Sequence, residues 1–64
     1  MEEKVLKALK ENPGARLSVI AWMIQENKMK TLDVLYYLER HGKVYSKSHH
    51  DTANMEFYNK WYAN

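Results

Sequence analysis

Residues 35–44 read LYYLERHGKV, and this stretch decides the fold of the 64-residue chain. Leu35 and Leu38 stand three positions apart, which is the spacing of one buried helix face. Gly42 follows them, and glycine commonly ends a helix in the left-handed conformation. From Val44 onward apolar residues alternate with polar ones, as they do in a half-buried strand. The stretch therefore predicts a helix that ends at a glycine and leads directly into a strand.

Two helices are predicted before this stretch. Residues 2–12 form the first, because their apolar side chains fall on one arc and Pro13 disfavours a helical residue before it. Residues 16–26 form the second. Its buried stripe recurs at the helical interval and consists of Leu17, Ile20, Ala21 and Ile24. Trp22 points away from that stripe, toward the polar side of the helix.

A short turn at residues 26–28 separates the second helix from the third, which is predicted over residues 29–41. Asn27 is the natural N-cap in this turn. The third helix contains both leucines of the deciding stretch. Two helices joined by so short a turn predict a helix-turn-helix unit.

The remainder of the chain predicts a β-hairpin. Residues 44–48 alternate as a strand, residues 49–54 are polar and turn-like, and residues 55–58 resume the alternation. The segment 59–64 either extends the second strand or folds back over the core. A third short strand is expected near Arg16.

Length and composition bound the function. We expect one α+β domain over residues 1–64, which buries only about 60% of its unfolded surface. The chain has no cysteine, which excludes disulfides and thiolate metal sites and fits a cytoplasmic protein. No apolar run approaches the roughly 18 residues of a membrane span, and the first turn carries Glu2 and Glu3 rather than a basic signal-peptide start.

Catalysis and cofactor binding have little support in the sequence. There is no Gly-rich phosphate loop and no serine flanked by glycines. The run His49-His50-Asp51, taken with His41, offers donor types that suit zinc. However, neighbouring strand residues point to opposite faces, so an ordinary polar hairpin is the favoured interpretation. We therefore expect no enzymatic activity, no metal and no cofactor.

The spacing from Ile20-Ala21 to Leu35, Leu38, Gly42 and Val44 resembles that of the small winged helix-turn-helix transcription factors. In size and layout the chain is most similar to the FaeA-like regulators of bacterial fimbrial operons, and the resemblance covers residues 4–58. It implies a bacterial regulator of transcription that binds double-stranded DNA. The third helix would enter the major groove, and the hairpin, or wing, would contact the flanking backbone. The family's turn holds an apolar residue followed by Ser or Thr, and Met29 is expected to supply that apolar residue here.

The residues expected to contact DNA lie on the third helix and the wing: Lys28, Lys30, Thr31, Val34, Tyr37, Lys47, His49 and His50. The lysines would neutralise phosphates, and the wing residues would position the protein without specifying a sequence. Thr31 would contact a phosphate or a base, Val34 a thymine methyl group, and Tyr37 a phosphate. Asp33 on the same helix opposes this hypothesis, because phosphates repel a carboxylate.

A protein-interaction module without autonomous DNA binding is the alternative hypothesis. The net charge is only +2, and the aromatic residues Trp22, Trp61 and Tyr62 would suit a protein interface. The competing interpretation is that the C-terminal segment covers Trp22 and buries all three within one chain. Because so few basic residues imply weak binding, we expect a homodimer or a co-regulator protein.

Overall fold

Three helices precede one antiparallel hairpin in the structure, a computed structural model that describes residues 1–64. The elements in chain order are α1 (Glu2–Glu11), α2 (Leu17–Ile24), α3 (Lys28–Arg40), β1 (Val44–Asp51) and β2 (Glu56–Ala63). This order confirms the predicted α+β class and is consistent with a winged helix. None of the three helices is long and apolar enough to cross a membrane.

The helix ends follow local chemistry. Asn27 caps α3 as predicted, its side-chain oxygen accepting a hydrogen bond of 2.8 Å from the backbone N–H of Lys30. Gly42 follows α3 with a φ of +72°, the left-handed conformation expected of it. Gln25 ends α2 in the same conformation, although it is not a glycine. As a result α2 stops two residues earlier than predicted, and α3 begins one residue earlier.

The hairpin is longer than predicted. His49 and His50 belong to β1, which pairs with β2 over eight consecutive residue pairs from Val44–Ala63 to Asp51–Glu56. The prediction that these histidines lie in the turn was therefore wrong. Their rings stack on Tyr58 and Phe57 across the ladder, and such cross-strand pairs stabilise a sheet. Of the two alternatives for residues 59–64, the structure shows extension of the second strand, as far as Ala63.

A single bridge joins the outer edge of β2 to the segment between α1 and α2. The Trp61 N–H donates to the Ala15 oxygen at 3.0 Å, and the Gly14 N–H donates to the Trp61 oxygen at 2.9 Å. This bridge lies beside Arg16, where a third short strand was predicted. It fixes the base of the hairpin against the helical part of the molecule.

The core lies between the three helices and the base of the hairpin. It consists of Val5, Ala8, Leu9, Ile20, Ile24, Leu35, Leu38, Val44 and Trp61. Both leucines of the deciding stretch are fully buried. Trp61 is only 1% exposed, and the ring of Tyr36 meets it edge-on at 6.1 Å. The hairpin is thus anchored to the helices through one large aromatic side chain.

Candidate nucleic-acid interface

The first turn of α3 presents the cations that the sequence predicts for DNA. Lys28 and Lys30 are both exposed, and the Asn27 cap holds the backbone of this turn in place. Met29 between them is 74% exposed, so it packs against nothing and does not supply the apolar residue expected inside the turn. An exposed turn with two lysines and one methionine is available to a partner.

Two of the residues predicted to read bases lie on the inner side of α3. Thr31 is 0% exposed, and its hydroxyl donates to the Asn27 carbonyl oxygen at 2.8 Å. Val34 is half-buried and packs against the core. Both face inward because they share the helix face of Leu35 and Leu38. Thr31 is therefore unavailable to DNA, and Val34 offers it little surface.

Beyond the first turn, the exposed residues of α3 are Asp33, Tyr36, Tyr37, Glu39 and Arg40. The Tyr37 ring lies 4.3 Å from that of His41, at an angle of 48°. Tyr37 thus keeps the exposure predicted for a phosphate contact. Asp33 shares its face of the helix, and its negative charge lowers the attraction of that face for phosphates.

A cleft of about 390 Å³ separates α3 from the hairpin. Its floor is apolar and consists of Leu17, Leu32 and Trp61. Its rim is polar and consists of Arg16, Ser18, Lys28, Tyr36, Tyr58 and Asn59. Two cations and no carboxylate line it, so the cleft is a concave surface suited to an anion-bearing ligand.

Arg16 is the residue of this cleft that the sequence did not identify. Its guanidinium lies 3.6 Å from the centre of the Tyr58 ring, a cation–π contact between the start of α2 and the hairpin. The contact depends on the register of a strand far along the chain. The residues next to Arg16 in the sequence therefore do not indicate this contact. The one related expectation was a short strand nearby.

The wing residues are divided between the two faces of the hairpin. Residues directly opposite in the ladder share a face, so Lys47 lies beside Lys60 and His49 beside Tyr58 on one of them. His50 lies with Phe57 on the other face, with ring centres 4.3 Å apart and planes inclined by 9°. The predicted set of Lys47, His49 and His50 therefore does not form one contact surface.

The tip of the hairpin is acidic. Asp51 faces Glu56 in the ladder. The side chain and backbone N–H of Asn54 and the backbone N–H of Ala53 all donate to the Asp51 carboxylate, and these bonds lower its pKa from the ordinary value of 3.8. Two carboxylates at the tip repel phosphates, so the cationic part of the wing is its middle, at Lys47 and Lys60.

The three aromatic residues predicted as an interface are separated in the structure. Trp22 is 80% exposed, as its position on α2 predicts, whereas Trp61 is a core residue. Tyr62 is half-buried, stacks on Tyr45 at 5.1 Å and lies against Gly14. The expected cluster does not form, and the C-terminal strand does not cover Trp22 either. Burying Trp61 removes a large apolar area from water, which favours the core position.

No three His, Cys, Asp or Glu side chains lie close enough together to hold a metal ion. Comparison with protein-family models and with curated protein sequences finds no match to this chain. The contacts and charges of its own residues are therefore the grounds for a functional proposal.

Proposed function

We propose that this chain is a DNA-binding regulator of transcription with a winged-helix fold and without catalytic activity. Its α3 would lie in the major groove of double-stranded DNA, and the middle of the hairpin would contact the flanking backbone. The observation that carries the proposal is the cleft between α3 and the hairpin, because Lys28 and Arg16 stand on its rim and no carboxylate lines it. The resemblance to small winged-helix regulators implies the same use of α3 and the hairpin.

The cleft is suited to a phosphate backbone for three reasons. It is concave, it carries two cations, and the hydroxyl and amide groups of Ser18 and Asn59 are hydrogen-bond donors to phosphate oxygens. Arg16 can meet a phosphate with a two-pronged hydrogen bond while its planar group stays on Tyr58. Lys30 in the same turn of α3 and Lys47 in the middle of the hairpin are exposed cations outside the cleft.

Reading of bases falls to different residues from those first expected. Because Thr31 and Val34 face the core, the exposed side chains of Met29 and Asp33 take their place. A methionine offers an apolar contact to a thymine methyl group, and a carboxylate accepts a hydrogen bond from the amino group of cytosine. Under this proposal Asp33 selects sequence at some cost in affinity.

The decisive test is binding to mixed-sequence duplex DNA, measured by fluorescence anisotropy over a salt series. We expect a log–log slope of affinity against salt of about −3 to −5, because each neutralised phosphate contributes about −0.9. The double variant Lys28→Ala, Lys30→Ala should reduce the magnitude of that slope by about two. The double variant Arg16→Ala, Lys47→Ala, which removes one cation of the cleft rim and one of the hairpin, should have an effect of the same size.

The matched control is the double variant Lys7→Ala, Lys10→Ala. It removes the same charge from exposed positions on α1, away from the cleft. We expect its slope to match that of the unmodified protein. An equal reduction of the salt slope in the Lys28→Ala, Lys30→Ala variant and in this control would mean that net charge alone attracts DNA. That result would contradict the proposed site.

A second candidate function is favoured by Trp22. An indole that is 80% exposed on a helix is typical of an anchor residue at a protein interface. In this alternative the winged helix is a scaffold for a co-regulator and has no autonomous affinity for DNA. The salt series separates the two candidates, because absence of binding even at low salt excludes autonomous DNA binding and leaves Trp22 as the main contact surface.

A further inference from the structure

The outer edge of β1 has backbone hydrogen-bonding groups with no partner. In an antiparallel ladder, alternate residues direct their N–H and C=O groups toward the neighbouring strand and away from it. Trp61 directs its groups away from β1, to Gly14 and Ala15, so Ser46 opposite it directs its own groups away from β2. By the same alternation, the backbone groups of Val44, Ser48 and His50 also point away from β2. The sheet has only two strands, so no further strand of the chain meets these groups.

This edge has few of the features that protect sheet edges from pairing. Natural edges are protected by proline, by bulges, by short strands or by charged side chains. β1 is eight residues long, contains no proline and pairs with β2 without a bulge. Lys47 is its one cation, and a single lysine blocks self-pairing only if it meets another cation.

We propose that two copies of this chain associate through their β1 edges, antiparallel and about a two-fold axis at Ser48, to form a continuous four-stranded sheet. The axis makes Ser48 face Ser48 of the second copy and Ser46 face its His50. The three facing pairs make about six backbone hydrogen bonds, two for each pair. The inference is independent of DNA binding, since the partner is a second copy of the chain.

Charge favours this position of the axis. It places Lys47 directly opposite His49 of the second copy, with Asp51 and Lys47 of that copy as its two diagonal neighbours, both within reach of a long side chain. An axis at Lys47 would instead set two ammonium groups against each other, which is destabilising. Two diagonal Lys47–Asp51 attractions, related by the two-fold axis, therefore outnumber the one Lys47–Lys47 repulsion, which is diagonal here rather than direct.

The test is sedimentation velocity of the full chain in the absence of DNA, from about 10 to 500 µM, a range that detects a weak interface of this size. We expect a monomer–dimer equilibrium that shifts to dimer with concentration. Ser48→Pro should raise the dissociation constant at least tenfold, because it removes an outward N–H that bonds nothing within the chain. Ser48→Val is the matched control and should dimerise like the unmodified protein, since both variants lose the same side-chain bond to Asn59.

A second measurement does not depend on how well the proline variant folds. Amide hydrogen exchange of the unmodified protein should slow with increasing concentration at Ser46, Ser48 and His50. Exchange that is independent of concentration, a monomer over the whole range, or a folded Ser48→Pro chain that dimerises as well as the Ser48→Val chain would each overturn the proposal.

Discussion

Thr31 lies on the buried face of α3 in its first turn, and its hydroxyl bonds the backbone of the N-cap. The Asn27 carbonyl oxygen accepts both the Thr31 hydroxyl, at 2.8 Å, and the Thr31 N–H, at 3.1 Å. A buried hydroxyl without a partner is costly, and this bond back to the preceding turn satisfies it. The same bond ties the start of α3, with its two lysines, to the core.

Replacing Thr31 by valine should separate stability from DNA binding. Valine keeps the shape but loses the hydroxyl, so we expect the free energy of unfolding in urea to fall by about 0.5–1.5 kcal/mol. DNA affinity should stay within about twofold. Lys30→Ala should do the reverse, weakening DNA binding with a stability change within about 0.5 kcal/mol. A Thr31→Val chain that is fully stable but binds DNA tenfold more weakly would restore Thr31 to the interface.

Single residues differ in how far the sequence predicts their place. The exposed positions of Lys28 and Lys30 are predictable, because a lysine side chain beside a helix N-cap finds no partner for its charge in an apolar core. Thr31 is not, since threonine suits a protein surface and a buried helix position equally well. Arg16 is not predictable either, because its partner ring belongs to a strand whose register is set elsewhere.

The hairpin turn contains one carboxylate, that of Asp51, which is hydrogen-bonded to the backbone of the turn. Asp51 closes the turn by accepting hydrogen bonds from Ala53 and Asn54. These bonds favour the ionised carboxylate and lower its pKa below 3.8. A carboxyl group with a lowered pKa in the folded state contributes stability above its unfolded value, and that contribution is lost as the pH falls through the lower folded value.

Asp51→Asn should therefore differ from the unmodified protein most above pH 4. We expect the unmodified protein to unfold at a higher temperature at neutral pH, and the difference to shrink as the pH falls below 3.8. Thermal unfolding followed by circular dichroism between pH 2 and 7 measures it. Glu56→Gln removes the same charge from the facing residue but leaves the turn bonds intact, so it should lack this dependence. A constant difference between Asp51→Asn and the unmodified chain would contradict the role of the carboxylate.

Elements were predictable where a residue of special conformation marks their ends. Asn27 begins α3 and Gly42 follows its end, and both were identified from the sequence. The end of β1 was not predictable, because His49 and His50 are polar and polarity alone suggests a turn at these positions. The ladder pairs of His49 with Tyr58 and of His50 with Phe57, and the stacking of their rings, show that both histidines belong to the strand.

At the scale of the whole molecule, Trp61 connects the hairpin to the helices. Its side chain is a member of the core, and its backbone makes both bonds of the bridge to the segment before α2. A domain of this size has about 3–5 kcal/mol of stability from a single core. The free energy lost on removing one fully buried tryptophan side chain therefore approaches the total stability of the domain.

Trp61→Ala should leave the chain largely unfolded at 25 °C, because truncating a buried tryptophan costs about 3–5 kcal/mol. Trp22→Ala should change the stability by about 0.5 kcal/mol or less, since that side chain is 80% exposed. Urea titration followed by circular dichroism compares the two variants. Equal destabilisation by both would mean that Trp22, too, is packed in solution.

The Ala15–Trp61 bridge also bears on how the chain folds. It joins two residues that are 46 positions apart in the sequence, and the entropy of closing so long a loop opposes folding before the contacts within it form. Without Trp61 the three helices lack a large part of their shared core. We expect helices and hairpin to gain stability in one cooperative step, since the hairpin supplies Val44 and Trp61 to the shared core. A three-helix intermediate would lack Trp61, the largest side chain of the shared core.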